Sequence, residues 1–348
     1  MPKIFNIYSS LVLEPWNHLT PMTTGIGGSE VCHIEYCQRL EKWGHVVNSF
    51  APIAKDDPTN LPNWRHFEGA DKKAPGTWLV FRDPKFFDDE LNSDNNYVFV
   101  AQDVDYQWTP ERLEKVSKYI CLCPEHVNYT MQKYPQLEGR ILLSSNGIRT
   151  ELIEEVENLA IPRNLNKIIY PSSPDRGLEF LLQNWFRVLE RVPSAELHIF
   201  YGFNNVEELG RKFGGWYVEY PERLKALMNQ KGVNFRGRIN QKELIKEWFS
   251  ANIWWYPTDW PETSCITSME AQACGALPVV TNLWALRDNI LHGYKSSRVP
   301  QDDFTSRLWQ IDKVCENLGE EIPERQIMMS DARKRFDWEN FINQIEEL

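Results

Sequence analysis

The sequence predicts an α/β protein of two doubly wound, Rossmann-like domains whose parallel sheets face a cleft. Three observations carry this expectation. At 348 residues the chain is long for one hydrophobic core, and two domains of roughly 150 to 180 residues are the default. In both halves, short apolar runs that read as buried strands alternate with segments of helical period. Between the halves, residues 151–166 are acidic and then Pro- and Asn-containing, the composition of a linker. The expected domains are residues 1–160 and 161–334.

Residues 4–8 open the first domain as a strand. A loop rich in Pro, Thr and Gly, holding Trp16 and His18, leads to a helix with Ser29 as its expected cap. Cys32, Tyr36, Leu40 and Trp43 form its apolar stripe, Gly44 ends it, and residues 46–50 make the next strand of a βαβ unit. Gly25-Ile26-Gly27-Gly28-Ser29-Glu30 contains G-x-G. A dinucleotide fingerprint needs its glycines directly after the strand, whereas about fifteen residues intervene here, and Glu30 stands where the third glycine belongs. Spacing therefore excludes a nicotinamide-type site. Further strands are expected at 78–81, 97–101, 119–122 and 141–143, with helices at 109–116 and 125–133. Asp103 follows the fourth strand, at the carboxyl edge where open α/β sheets bind ligands.

In the second half, a strand at 168–170 is followed by Pro171-Ser172-Ser173-Pro174-Asp175-Arg176-Gly177. The helix after it carries the stripe Leu178, Leu181, Leu182, Trp185, Val188, Leu189 and Val192. Capping by Ser173 or Asp175 would put Arg176 in the first turn, where the helix dipole and free N–H groups favour an anion. Strands at 197–201 and 233–235 precede Arg236-Gly237-Arg238, and Asn240 is the expected cap of a helix at 241–249. A strand at 253–256 is closed by Pro257, and one more helix is expected around 307–318. Between them Thr263 or Ser264 can cap a helix whose face carries Ile266, Met269 and Ala273 and which Gly275 ends.

Glu262 stands before that helix and Glu270 two turns inside it, roughly 12 Å away at 1.5 Å per residue. This is too far for an acid/base pair on one bond. It suits two ends of an elongated ligand, with the N–H groups of Thr263, Ser264 and Cys265 between them as an anion site. A nucleotide-sugar has that layout: hexose, diphosphate, ribose.

Glu262 and Glu270, in their Pro261-Glu262-Thr263 and Met269-Glu270-Ala271 context before Pro278-Val279-Val280, resemble the E-x7-E region of family-4 glycosyltransferases, which have the GT-B fold. The resemblance covers most of the chain, strongly in 167–280 and loosely in 1–150. It implies transfer of a sugar, with retention, from a nucleotide-sugar donor to the hydroxyl of a glycan or other acceptor. It further implies that Glu262 contacts the transferred sugar and Glu270 the ribose hydroxyls. Gly27-Gly28-Ser29-Glu30 is similar to the family's G-G-x-E loop, which brings Gly27 and Gly28 to the donor phosphate. Gly237 lies in a turn similar to the one whose backbone faces the nucleobase. Of the family's R-x4-K diphosphate pair, Arg176 occupies the Lys place while Pro171 stands in the Arg place, so Arg238 is the substitute second cation. Many relatives carry His-Asp where this chain has Gln102-Asp103, leaving Asp103 as an acceptor or sugar contact. Asn146-Gly147-Ile148 is similar to the turn closing the first domain. Phe336-Asp337-Trp338 begins a segment, 335–348, that resembles the family's terminal helix returning to that domain.

Composition narrows the partners. The 42% hydrophobic and 25% charged fractions are those of a soluble globular protein. No apolar run approaches the ~20 residues of a membrane span, and the N-terminus lacks a signal-peptide pattern, so a cytoplasmic protein with at most peripheral membrane association is expected. The seven cysteines are scattered, and the Cys121/Cys123 spacing does not suit zinc. Asp103-Val104-Asp105 is a D-x-D in the first domain, away from the expected diphosphate, so no metal or other cofactor is expected. The net charge is −11, and residues 1–160 hold 15 basic against 23 acidic side chains, a net of −8. That field disfavours nucleic acid. The competing functions are a sugar-nucleotide epimerase or phosphorylase of the same fold, a non-catalytic nucleotide-sugar binder, and a DNA-modifying glucosyltransferase, which the acidic first domain opposes.

Overall fold

The computed structural model describes residues 1–11 and 14–348. Among these, two parallel sheets form. The first contains β1 (Ile4–Ser9), β2 (Val46–Ala51), β3 (Trp64–His66), β4 (Thr77–Phe81), β5 (Asn96–Val100), β6 (Lys118–Cys121) and β7 (Ile141–Leu143), in the order β3-β2-β1-β4-β5-β6-β7. The second contains β8 (Asn164–Tyr170), β9 (Glu196–Phe200), β10 (Val233–Gly237), β11 (Ala251–Tyr256), β12 (Leu277–Thr281) and β13 (Tyr294–Ser296), in the order β10-β9-β8-β11-β12-β13. Strand order reverses between β1 and β4 and again between β8 and β11. These are the points where open sheets leave a crevice at their carboxyl edges.

Parallel strands are covered on both faces and read as continuous apolar runs. All six residues of β11 are accordingly buried, Trp254 and Trp255 included. The Gly28–Lys42 helix packs Cys32, Tyr36 and Leu40 onto one face of the first sheet, while Trp78, Phe86, Phe99 and Tyr119 fill the other. Leu178, Leu181, Trp185 and Val188 of the Leu178–Arg191 helix enter the second core, as their period requires.

The chain returns to the first core at its end. Phe336 belongs to the second core, whereas Trp338, Ile342 and Ile345 belong to the first. The return strand meets the outgoing one: the Ile148 N–H donates to the Phe336 carbonyl at 2.8 Å, and Ile148 pairs with Asp337 in a parallel bridge. Gly147 is required here, because a Cβ would lie 2.8 Å from the Trp338 Cα.

Several local expectations change. Residues 151–166, expected as a linker, contain the Thr150–Glu157 helix, whose Leu152, Ile153 and Val156 pack into the second core. The Gly28–Lys42 helix starts one residue before Ser29, with Gly27 at its N-cap and no side-chain cap. Asn240 does cap its helix, accepting from the Glu243 N–H at 2.9 Å. The seven cysteines are free and buried, and among the described residues no helix is long and apolar enough to cross a membrane.

Candidate active site

The crevice of the second sheet is built by the loops after β8 and β11. Gly177, at φ +98°, N-caps the Leu178–Arg191 helix in place of Ser173 or Asp175. Its backbone presses on the loop after β11, since a Cβ there would lie 2.5 Å from the Pro257 carbonyl oxygen. Arg176 therefore precedes the helix rather than occupying its first turn. Its guanidinium carbon lies 3.4 Å from the ring centroid of Trp260. One guanidinium nitrogen is 3.2 Å from Asp175 Oδ2, but the angle is not that of a hydrogen bond, and this buried N–H finds no hydrogen-bond partner among the described residues.

Glu262 lies two residues past Trp260. Its carboxylate accepts from the hydroxyl of Tyr256, the last residue of β11. Its carbonyl accepts from the Ala285 N–H at 3.0 Å. Burial pushes the Glu262 carboxyl above the usual range, opposed by the Tyr256 hydroxyl and the Arg176 charge. The fold thus brings Arg176 and Glu262 together from separate loops.

Glu270 sits inside the Ile266–Ala273 helix, 4% exposed. Its two oxygens accept from Gln241 Nε2 at 3.1 Å and Trp248 Nε1 at 3.2 Å. Burial raises its pKa, and these two donors work against the rise. Gln241 in turn accepts from Arg149 Nη1 at 2.8 Å, and Arg149 is ion-paired with the buried Glu35 of the Gly28–Lys42 helix. A polar chain therefore runs from the first core to Glu270.

Thr263 and Ser264 do not cap the Ile266–Ala273 helix. Cys265 is its N-cap, at φ +60° without a side-chain cap. The Thr263 hydroxyl donates to the Gln102 carbonyl at 2.6 Å, and Ser264 Oγ accepts from the Asn146 N–H at 3.2 Å. Both hydroxyls thereby tie this turn to loops of the first sheet. Burial drives the Cys265 thiol well above its usual range, so it stays protonated and unreactive.

From the first sheet, Gly28 comes to the same junction; a Cβ on it would lie 3.2 Å from Ile266 Cδ1. Gly27 and Gly28 are therefore at the meeting of two helix N-termini. Asp103 is held by Arg82, whose Nε and Nη2 donate to its two oxygens at 2.8 and 3.1 Å, while Arg82 Nη1 reaches Glu30 at 3.4 Å. The sequence reading missed Arg82. Its signal was its place immediately after β4, at the first sheet's switch point, where it adopts a left-handed φ of +63°. A small cavity there is lined by Ser9, Trp16, Ser29, Glu30, Phe81 and Arg82. Gln102 exchanges amide hydrogen bonds with Asn146 at 2.9 and 3.2 Å. Arg238 is ion-paired with Glu14 across the cleft, 5.8 Å over the Tyr201 ring, and Gly237 beside it has φ +69°. Among the described residues no three His, Cys, Asp or Glu side chains converge as a metal would require.

Two doubly wound parallel sheets whose crevices open on one cleft make this a GT-B protein. The chain belongs to the family described as glycosyl transferases group 1, whose sequence pattern matches residues 154–335, and it is a glycosyltransferase. No curated protein matches it in sequence. Among solved structures, it superposes on a sucrose-phosphate synthase from Thermosynechococcus elongatus with a TM-score of 0.66 and 14% identity, covering 100% of this chain and 98% of that one. A glycosyltransferase from Rickettsia africae gives 0.64 at 13% identity, covering 99% and 97%. HepE of Anabaena, solved in complex with UDP and glucose, gives 0.58 at 14% identity, covering 100% and 99%. At these identities the superpositions show the fold.

Proposed function

We propose that the enzyme moves a sugar from a nucleoside-diphosphate sugar to a hydroxyl of a neutral acceptor, with retention and without a metal. The observation that carries this is the meeting at the second sheet's switch point of Glu262 and Arg176, whose buried N–H has no hydrogen-bond partner among the described residues. That a structural neighbour holds UDP and glucose supports the donor class. In this reading Arg176 takes the charge that builds on the leaving diphosphate, a role Mg²⁺ otherwise fills. Arg238 supplies the second cation once it exchanges Glu14 for phosphate. Gly27, Gly28 and the Cys265 turn line the diphosphate, and Gly237 faces the base. Glu262 orients the sugar, and Glu270 offers its remaining lone pairs to the ribose hydroxyls.

The acceptor enters from the first sheet, beside Asp103 and Arg82. Its O–H bond breaks as the sugar C1–O bond to phosphate breaks, the new C1–O bond forms on the same face, and the proton passes to the departing diphosphate. In this reading Glu262 positions the sugar and does not attack it. All seven cysteines being free fits a reducing, cytoplasmic setting.

The test is a screen of nucleotide-sugars for thermal stabilisation, followed by release of nucleoside diphosphate and NMR assignment of the product anomer. Arg176→Gln should lower kcat by roughly 10²–10³, as loss of a transition-state donor does elsewhere. Activity should survive EDTA; complete loss restored by Mn²⁺ would overturn metal independence. Interconversion of donor alone, without acceptor, would indicate an epimerase instead.

A further inference from the structure

We propose that Trp260 is a positioning residue that keeps the Arg176 guanidinium, although it lies beside Asp175, from closing hydrogen bonds onto it and so leaves it available to the donor diphosphate. This rests on the donor site proposed above. Asp175 is next to Arg176 in sequence, and its Oδ2 is within ion-pair distance, 3.2 Å, of a guanidinium nitrogen. Such a pair ordinarily settles into parallel N–H···O bonds. Here it does not: the Arg176 Nη1 and Asp175 Oδ1 atoms are both buried without a hydrogen-bond partner among the described residues. Two opposite charges this close without a hydrogen bond point to something that fixes their relative orientation.

Trp260 is that element. The guanidinium lies at 3.4 Å from the ring centroid, a contact that sets the plane of the fork as well as its position. The residue is 43% exposed, so it is not a core side chain held by general packing. Backbone bonds on either side fix it: the Trp260 N–H donates to Thr258 Oγ1 at 3.0 Å, and the Glu262 N–H donates to the Trp260 carbonyl at 2.9 Å. The same short segment therefore sets both the arginine, through the ring, and Glu262, through the backbone.

Without the indole face, Arg176 closes hydrogen bonds onto Asp175, and a diphosphate must then break those bonds to bind. Calorimetry with UDP, ADP and GDP, each against its matched nucleoside, reads this directly. Trp260→Ala should weaken the best diphosphate about tenfold or more, on the scale of one charge-assisted hydrogen bond, and leave the nucleoside unchanged. Trp260→Phe, which keeps an aromatic face, should recover most of the affinity. Adding Asp175→Asn to Trp260→Ala removes the competing carboxylate and should also recover it. Equal weakening of nucleoside and diphosphate would overturn the proposal in favour of a plain pocket wall, as would failure of Asp175→Asn to restore binding. If wild-type protein binds no nucleoside diphosphate, the donor site itself is wrong, and that outcome is seen without any variant.

Discussion

Glu262 and Glu270 share a cause of perturbation and differ in what holds them. Both carboxyls are raised by burial, but Glu262 is opposed by a hydroxyl and Arg176, and Glu270 by two N–H donors of its own domain. Their losses should therefore look different. Glu270→Ala removes a charge-assisted acceptor, typically ~1.5–3 kcal/mol, and should weaken free nucleoside diphosphate and intact donor alike by roughly ten- to a hundredfold. Glu262→Ala should leave diphosphate affinity nearly unchanged and depress kcat, since a misplaced anomeric carbon costs most in the transition state. Calorimetry and initial rates on both variants check this. Glu270 also sets a pH dependence. Its folded pKa lies above the ordinary glutamate value of about 4.3, so the folded state binds the proton more tightly, and its contribution to stability falls as pH rises through the folded value. The melting temperature of Glu270→Gln relative to wild type should accordingly climb from pH 4 upward and then level off; a flat difference would contradict the assigned shift. Arg176 and Glu262 were legible because each stands in a loop between a strand end and a helix start, and Glu270 because of its spacing from Glu262. Arg82 also follows a strand end directly, but nothing in the sequence marks its left-handed backbone or its pairing with Asp103. Nor does it mark the use of Thr263 and Ser264, whose partners Gln102 and Asn146 come from the other domain.

At the scale of elements, the terminal Glu339–Glu346 helix tests how the first domain is completed. Trp338, Ile342 and Ile345 are fully buried against the first sheet, although the chain has just come from the second. Trp338→Ala leaves a large cavity and should cost about 3–5 kcal/mol, read as a lower urea midpoint with tryptophan-independent circular dichroism. Gly147→Ala should weaken the same junction, since its Cβ has no room beside Trp338. The alternation of strands and helices was readable throughout because buried parallel strands are apolar on both faces. What escaped had physical reasons. β3 and β13 are three residues each and centred on a charged side chain, so they lack the apolar run that marked the equally short β7. The Asn204–Phe213 and Trp216–Met228 helices are separated by Gly214-Gly215, and the second contains Pro221, so local signals read as a break where tertiary packing makes a helix pair.

The whole molecule is joined at two levels. At the crossing, Ile148 and Asp337 run side by side, so both passages of chain between the sheets lie on one line, about which the domains can turn. Beside it, Arg149 and Glu35 form a buried pair with side chains 9% and 3% exposed, beyond the reach of salt. At the mouth, the cleft is spanned by pairs of another kind. Arg287 meets Glu125 at 2.9 Å with side chains 51% and 39% exposed, and Arg238 meets Glu14. An exposed pair such as Arg287–Glu125 contributes about 0–1 kcal/mol and weakens with salt, too little to matter for folding yet enough to bias an open–closed balance. At about 1 M salt the screening length falls to about 3 Å. The radius of gyration from small-angle scattering should then increase while the unfolding free energy changes by no more than about 1 kcal/mol. Arg287→Glu at low salt should have the same effect, because it sets two acidic groups against each other across the mouth. Saturating nucleotide-sugar should draw both back, since in the proposed binding mode the donor touches loops of the two sheets. A radius indifferent to salt and to Arg287→Glu would mean that these charges do not hold the cleft, leaving the Thr263 and Ser264 hydrogen bonds as the contacts that set its width.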